Sequence, residues 1–447
     1  MNAPLDPGLL AAVSQSVEAK LGLHFPPERW ADLERGLCGA ARDLGFESVE
    51  KCARELALSH LGREQIDSLA AHLTIGETYF FRYPAVFEAL ASDVFPALAH
   101  ERRGRAKRLR IWSAGCCTGE EPYSIAIALR RAIPDIDDWQ LTLLATDINP
   151  RFLHKAVAGV YGQWSFRGVP EETRAAWFRK TPGGEFELLP SVRKMVTFDC
   201  LNLVEDVYPS LATNTNAMDL IFCRNVLMYF SPDQLRTVVA NLRRSIVEGG
   251  RLLVSPTEAS RELFGGFGSE KFSGVTMYRK EAPEAPRTVI PPPIAVPPRP
   301  PDPPRPHAGR KTAAAQPRDH AADAHRLANE GQLTEALEAC DRALAADKLV
   351  PAHHYLRGVI LQEQAALDEA AAALRRALFL DRDFVIAHFA LGHLMLRQGR
   401  EREAARCFAN ARASLGKYAP DAPLPESDGI TAGRLQAILS SMHEAEA

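Results

Sequence analysis

Long apolar runs are missing from this 447-residue chain. No stretch approaches the roughly 20 apolar residues of a membrane-spanning helix, so no membrane insertion is expected. The opening MNAPLDPGLL lacks a basic segment followed by an apolar one, and no signal peptide is expected. The eight cysteines are scattered and match no zinc spacing, so no metal site is expected. Cys116 and Cys117 are adjacent and form no relaxed disulfide with each other. A reduced, cytoplasmic protein is the resulting reading. Basic excess is also lacking: the formal net charge of -3 argues against a general nucleic-acid binder. The one basic cluster, Arg102, Arg103, Arg105, Lys107, Arg108 and Arg110, reads as a solvated loop before a strand.

What is present suffices for several cores, since 46% of residues are hydrophobic. At roughly 100–200 residues per domain the length implies two to four domains. Residues 1–78 read as a helical domain, with Leu9, Leu10, Val13 and Val17, then Trp30, Leu33 and Leu37, at helical spacing. Residues 79–281 alternate strand and helix. Apolar runs at Leu109–Ala114, Leu141–Thr146, Met195–Phe198, Leu220–Cys223 and Leu252–Val254 predict strands. Glu121–Arg131 and Pro232–Val247 predict helices between them. That order implies an α/β fold, a Rossmann-like, largely parallel sheet with helices on both faces.

Residues 282–318 are proline-rich, as in Pro291-Pro-Pro and Pro297-Pro-Arg-Pro-Pro, and read as an extended linker. Residues 319–447 repeat with a period of 34: Gly358 and Gly392, then Ala336, Ala370 and Ala404, then Cys340, Leu374 and Phe408, then Ala343, Ala377 and Ala411. Small residues at these offsets are the mark of all-α tetratricopeptide repeats. Lys348 and Arg382 stand where each repeat usually carries a proline, and Thr431 to His443 reads as a capping helix. His353-His354 read as surface or packing residues of a repeat helix.

The chemistry concentrates at strand ends. In Trp112-Ser-Ala-Gly-Cys-Cys-Thr-Gly-Glu120-Glu121-Pro-Tyr-Ser124, Gly115 and Gly119 permit a tight turn and Pro122 opens a helix. Two carboxylates there disfavour a pyrophosphate and favour a cationic ligand such as S-adenosylmethionine, although both also fit helix capping. They and the missing G-x-G-x-x-G argue against a nicotinamide-dependent oxidoreductase. Asp147 ends the second strand, where a carboxylate accepts both hydroxyls of a ribose. Asn202-Leu203 follow the third strand and suit an adenine edge and face, or a turn. The fourth ends in Arg224-Asn225, with Tyr229 close behind.

Together with Thr78 and Phe80-Phe81-Arg82, these motifs resemble, in order, the chemotaxis receptor methyltransferase (CheR) family over about residues 70–280. The resemblance implies transfer of a methyl group from S-adenosylmethionine to glutamate side chains on the cytoplasmic domain of a methyl-accepting chemoreceptor. It implies that Gly76, Thr78, Arg82, Ala114, Glu120, Asp147, Asn202, Leu203, Arg224 and Asn225 surround the cofactor. Arg82, Arg224 and Tyr229 would then face the methyl group and the incoming carboxylate. Gly76 stands where the family often has asparagine. Some members grip a receptor tail peptide with a small β insertion; the matching stretch here, Phe178–Leu189, is short, which implies docking without such a peptide. The repeats imply a protein or peptide partner, or contact with the catalytic domain itself. The opposing reading is a scaffold whose methyltransferase fold only senses the cofactor.

Overall fold

The computed structural model describes residues 5–58, 61–103, 107–281 and 319–439, apart from 421, 428, 434 and 437. The proline-rich stretch 282–318 lies outside the described residues. The chain opens with α1 (Pro7–Leu21), α2 (Trp30–Asp43), α3 (Val49–Leu58) and α4 (Arg63–Leu73). Asp6 caps α1 by accepting from Leu9 N–H, and Gly22 closes it at φ 77°. Val13, Val17, Leu33, Leu37, Leu56 and Leu69 fill the bundle's core.

Next come α5 (Pro84–Ala89), α6 (Phe95–Arg103), β1 (Arg108–Ala114), α7 (Glu120–Ala132), β2 (Gln140–Asp147) and α8 (Pro150–Ala158). A small unit follows: β3 (Val160–Tyr161), α9 (Glu171–Trp177), β4 (Phe178–Lys180), β5 (Phe186–Leu188) and α10 (Pro190–Arg193). β6 (Val196–Cys200), β7 (Met218–Phe222), α11 (Pro232–Ser245), β8 (Ile246–Leu253), β9 (Gly268–Phe272) and β10 (Val275–Arg279) complete the region. The main sheet runs β6-β2-β1-β7-β8-β10-β9, and β3-β5-β4 form a separate small sheet. Pairing is parallel from β6 through β8, then antiparallel to β10 and β9. Along β1 the side chains alternate: Leu109 and Ile111 enter one core, Trp112 and Ala114 the other. Strand order grows outward from β1 to β2 and β6 on one side, and to β7 and β8 on the other. A crevice therefore opens between the carboxyl ends of β1 and β7.

Among the described residues the C-terminal region stacks three helix pairs: α12 (His320–Asn329) with α13 (Leu333–Ala346), α14 (Pro351–Glu363) with α15 (Leu367–Leu380), and α16 (Val385–Arg397) with α17 (Glu401–Leu415). The 34-residue columns are packing contacts. A Cβ at Gly358 would lie 2.7 Å from Leu374 Cγ, and one at Gly392 would lie 2.4 Å from Phe408 Cε1. Only glycine lets these pairs close. Leu424, Ile430, Leu435 and Leu439 cover the end of the last pair; the remainder of the expected capping helix lies outside the described residues.

The repeats pack against the amino ends of the sheet strands, opposite the crevice. Glu363, at the end of α14, accepts from Arg108 at 2.7 Å and from Arg110 at 2.8 Å. Gln140 Nε2 donates to the Glu363 carbonyl at 3.1 Å, and Asn216 Nδ2 to the Ala328 carbonyl at 3.5 Å. This corrects the reading of the basic cluster as a solvated loop. Arg102 pairs with Asp219 and Lys107 with Asp135, while Arg110 lies within β1 and is only 2% exposed. Its charge is balanced by a carboxylate from the repeats, which local spacing does not reveal. Arg105 and the Arg103 side chain lie outside the description.

Candidate functional site

A cleft of about 1000 Å³, open mouth included, occupies the crevice. It is lined by Thr78, Arg82, Asp147, Asn202, Leu203, Arg224, Asn225 and Tyr229, together with Leu21 and Leu23 from the N-terminal bundle. Those residues come from well-separated segments, and the strand ends bring them together.

The turn after β1 sets the floor. Gly115 has φ 79°, and a Cβ there would lie 2.3 Å from Val226 Cγ2. Non-glycine residues with positive φ crowd the same site: Phe81, Tyr83, Cys117 and Asn225. Each conformation is sparsely populated and held by its surroundings. Cys117 N–H donates to Asp147 Oδ2 at 2.8 Å, and Asn149 N–H donates to Asp147 Oδ1 at 2.9 Å. Burial nevertheless pushes the Asp147 carboxyl up to about 6, against the pull of these N–H groups. Each oxygen keeps acceptor capacity for a donor entering the cleft.

Asn202 is fixed from the N-terminal bundle: its Nδ2 donates to the Lys20 carbonyl at 2.8 Å. The amide expected at an adenine edge is thus already engaged, while Leu203, Leu21 and Leu23 provide apolar wall. His24 N–H donates to the Tyr229 carbonyl at 2.8 Å, so the bundle also holds the opposite lip. Burial raises the Tyr229 phenol above its ordinary value, which keeps it a hydrogen-bond donor through the neutral range.

Arg82 and Arg224 line the cleft with different commitments, and Arg167 stands outside its lining. Arg224 is buried; its Nη1 donates to Glu121 Oε2 at 2.9 Å and its Nη2 to the Arg82 carbonyl at 2.8 Å. Glu121 also accepts from Ser113 Oγ at 2.8 Å. Arg82 donates to the Glu77 carbonyl at 2.7 Å and has no carboxylate partner among the described residues. Arg167 pairs with Glu77. Aromatic rings alternate with these cations. Arg167 lies 4.7 Å from the Trp164 ring and 3.9 Å from Tyr79; Arg82 lies 5.9 Å from Tyr79 and 5.8 Å from Tyr83; Arg224 lies 5.1 Å from Tyr83. The series leads from Trp164, 73% exposed, down to buried Arg224.

Gly76, Ala114 and Glu120 do not line the cleft. Ala114 is buried at the end of β1, and Gly76 lies against the Phe152 ring. Glu120 is 1% exposed and accepts from Thr118 Oγ1 at 2.6 Å and Ser165 Oγ at 2.9 Å. With Glu120 bonded internally and Glu121 neutralised by Arg224, the paired-carboxylate argument for a cationic ligand loses its force; Asp147 is the acidic group left facing the space. Sequence reasoning missed Glu258, which accepts from Asn225 N–H at 2.8 Å and Ser255 N–H at 3.1 Å and so fixes the strained turn after β7. It also missed Trp164, Arg167 and Tyr79. Aromatic and arginine residues clustered near Arg82 in sequence were the available signal for Tyr79 alone.

Comparison with known proteins gives a consistent result. Residues 76–271 match the family model described as CheR methyltransferase, SAM binding domain. The chain is 34% identical over 307 residues to the probable biofilm formation methyltransferase WspC of Pseudomonas aeruginosa, covering 63% of this chain and 70% of that protein. It is 32% identical over 245 residues to the probable chemotaxis protein methyltransferase of Rhizobium etli, covering 53% and 87%. Chemotaxis protein methyltransferase 2 of Vibrio cholerae is 31% identical over 217 residues, covering 48% and 74%.

Proposed function

Because this chain belongs to the CheR methyltransferase family, we propose that it methylates glutamate γ-carboxylates on the cytoplasmic domain of a chemoreceptor. It is a methyltransferase, and its cofactor is S-adenosylmethionine. We divide it into a helical domain at 1–78, a methyltransferase domain at 79–281, a linker at 282–318 and a repeat domain at 319–447. The observation that carries the proposal is a single cleft gathering Arg82, Asp147, Asn225 and Tyr229 at the switch point of a parallel sheet.

The residues present fit the cofactor. Gly115, tight against Val226, lets the backbone itself form the cleft floor, Asp147 offers acceptors to a ribose, and Leu203 with Leu21 and Leu23 offers an adenine a dry face. When bound, S-adenosylmethionine supplies a methyl group on a positively charged sulfur. Glutamate, with a pKa of about 4.3, is already an anion at neutral pH, so no general base is required. Arg82, without a carboxylate partner among the described residues, holds the incoming carboxylate. Tyr229 donates a hydrogen bond to the same group. Arg224 acts on Arg82 through its carbonyl, so its role is to position rather than to touch substrate. Charge is neutralised as the methyl group moves, and the buried floor of the cleft favours that change.

The Trp164–Arg167–Tyr79 stack extends the cleft toward the surface and suits an acidic protein segment. No helix among the described residues is long and apolar enough to cross a membrane; the proposed substrate, a receptor's cytoplasmic domain, is what places the chain on the cytoplasmic side in this reading. The β4–β5 hairpin has three residues in each strand, which supports docking that does not depend on a receptor tail peptide. Incubating the chain with radiolabelled S-adenosylmethionine and receptor-bearing membranes, then mapping the label by mass spectrometry, tests the proposal. Label on glutamate side chains is expected. Cofactor binding without labelled receptor would support the sensing scaffold instead.

A further inference from the structure

Arg110 and Glu363 lie far from the cleft, yet a continuous set of contacts links them to its wall. Arg110 Nε donates to the Asn216 carbonyl at 3.0 Å and Nη2 to the Asn214 carbonyl at 2.9 Å. Both belong to the long β6–β7 loop, which begins Leu201-Asn202-Leu203. The loop is knotted internally: Ser210 N–H donates to Thr215 Oγ1 at 3.1 Å, and Thr213 and Thr215 share a hydroxyl hydrogen bond of 2.7 Å. Leu211 packs on the cores of both the first and the later repeats. At the other end of the knot, Tyr208 is buried edge-on against Trp112 and its hydroxyl donates to the Leu203 carbonyl at 2.7 Å. The loop is thus gripped by the repeats on one side and forms cleft wall on the other.

We infer that Glu363 and Arg110 are positioning residues for the cofactor, through which the repeats brace the loop that carries Leu203. The repeat domain is then part of the cofactor site's support as well as a surface for partners. A charge as buried as Arg110 needs its carboxylate, because removing one member of a buried pair leaves the other uncompensated. Burial pushes the Glu363 carboxyl up, but Arg110, Arg108 and Arg397 outweigh it and keep it below its ordinary value. Asp219, whose carboxylate accepts from Arg110 N–H at 2.8 Å, is already shared with Arg102. Without Glu363, Arg110 reorients and frees Asn214 and Asn216.

The inference rests on the assignment of Leu203 to the cofactor wall. It is tested on the full chain with S-adenosylhomocysteine as probe, by calorimetry and by hydrogen exchange followed by mass spectrometry. Glu363→Gln keeps the shape and removes the charge; Glu363→Asp keeps the charge. The Gln variant is expected to bind about fivefold more weakly or worse, in the range of ordinary site-to-site coupling. Exchange in residues 203–217 should quicken while β2 stays protected, and the Asp variant should recover much of both effects. Unchanged affinity in the Gln variant, or equal effects of Gln and Asp, overturns the bracing role. A Leu203→Ala variant of unchanged affinity would instead remove the cofactor-wall assignment, and loop exchange reads the brace independently of it.

Discussion

Arg82 and Arg110 are set at opposite ends of the same sheet, and they use their charge in opposite ways. Arg110 is enclosed, bonded to two loop carbonyls and paired with Glu363. Arg82 has carbonyl and aromatic neighbours but no carboxylate among the described residues. The amino end of the sheet satisfies its charges internally and becomes a joint. The carboxyl end leaves a cation available and surrounds it with strained backbone. On the proposed function, this unspent charge beside positive-φ residues is the reacting end of the fold.

That contrast breaks most sharply at Arg82. Arg82→Ala should lower methyl transfer by about a thousandfold, the scale of a lost anion-holding donor, while stability shifts by about 0.5 kcal/mol or less. Near-normal rates in a radiolabel assay would show that Arg82 is as structural as Arg110. The complementary change, Arg110→Ala, should cost about 3 kcal/mol in urea-induced unfolding, as for other broken buried pairs. A cost no greater than that of Arg82→Ala would erase the distinction.

Asp147 sharpens the comparison through pH. Its folded-state pKa is raised to about 6 by burial, above an unfolded value of about 3.9. In the empty protein its contribution to stability is therefore full below about pH 4 and is lost as pH rises through about 6. If Asp147 holds the ribose as proposed, cofactor binding should reverse the preference, since ribose hydroxyls would donate to the ionised form. Affinity for S-adenosylhomocysteine should fall roughly tenfold per pH unit below about pH 6. Titrations in buffers of different ionisation enthalpy should detect proton release on binding; a flat profile, or proton uptake, would remove Asp147 from the site. The smallest effect is expected at the rim. Trp164→Ala should raise the KM for receptor by about threefold, as for an exposed cation–π contact, and leave S-adenosylhomocysteine affinity alone. Equal changes in both would move Trp164 into the cofactor site.

The parts of this fold that are local in sequence were readable there. β1 and β2 stood out as apolar runs ending in Gly115 and Asp147, and the repeat columns foretold the Gly358–Leu374 and Gly392–Phe408 contacts. β9 escaped because Gly268–Phe272 is polar and carries no apolar alternation. The site's membership was partly legible, since strand ends in an open parallel sheet must converge. How its charges cancel was not. Glu121 is neutralised by Arg224, 103 residues away, and Arg110 by Glu363, 253 residues away. No periodicity encodes such pairings. Nothing in the sequence sets Glu258 apart, because its partners are backbone N–H groups whose direction only the folded turn sets.

Gly331 closes the first helix of the repeats at φ 79°, and a Cβ there would stand 3.2 Å from Ala217 Cβ and 3.3 Å from Val247 Cγ1. The two halves therefore meet with less than a methyl group to spare. Repeats transplanted from another protein onto this methyltransferase would have to strain this turn and push the two halves slightly apart unless their first turn also carried glycine, however well their own helices stacked. The far end of the stack is tied to the same joint, since a Cβ at Gly429 would stand 3.8 Å from both the Asp206 carbonyl oxygen and Val207 Cγ1 of the β6–β7 loop, so a different cap would have to fit that loop as well.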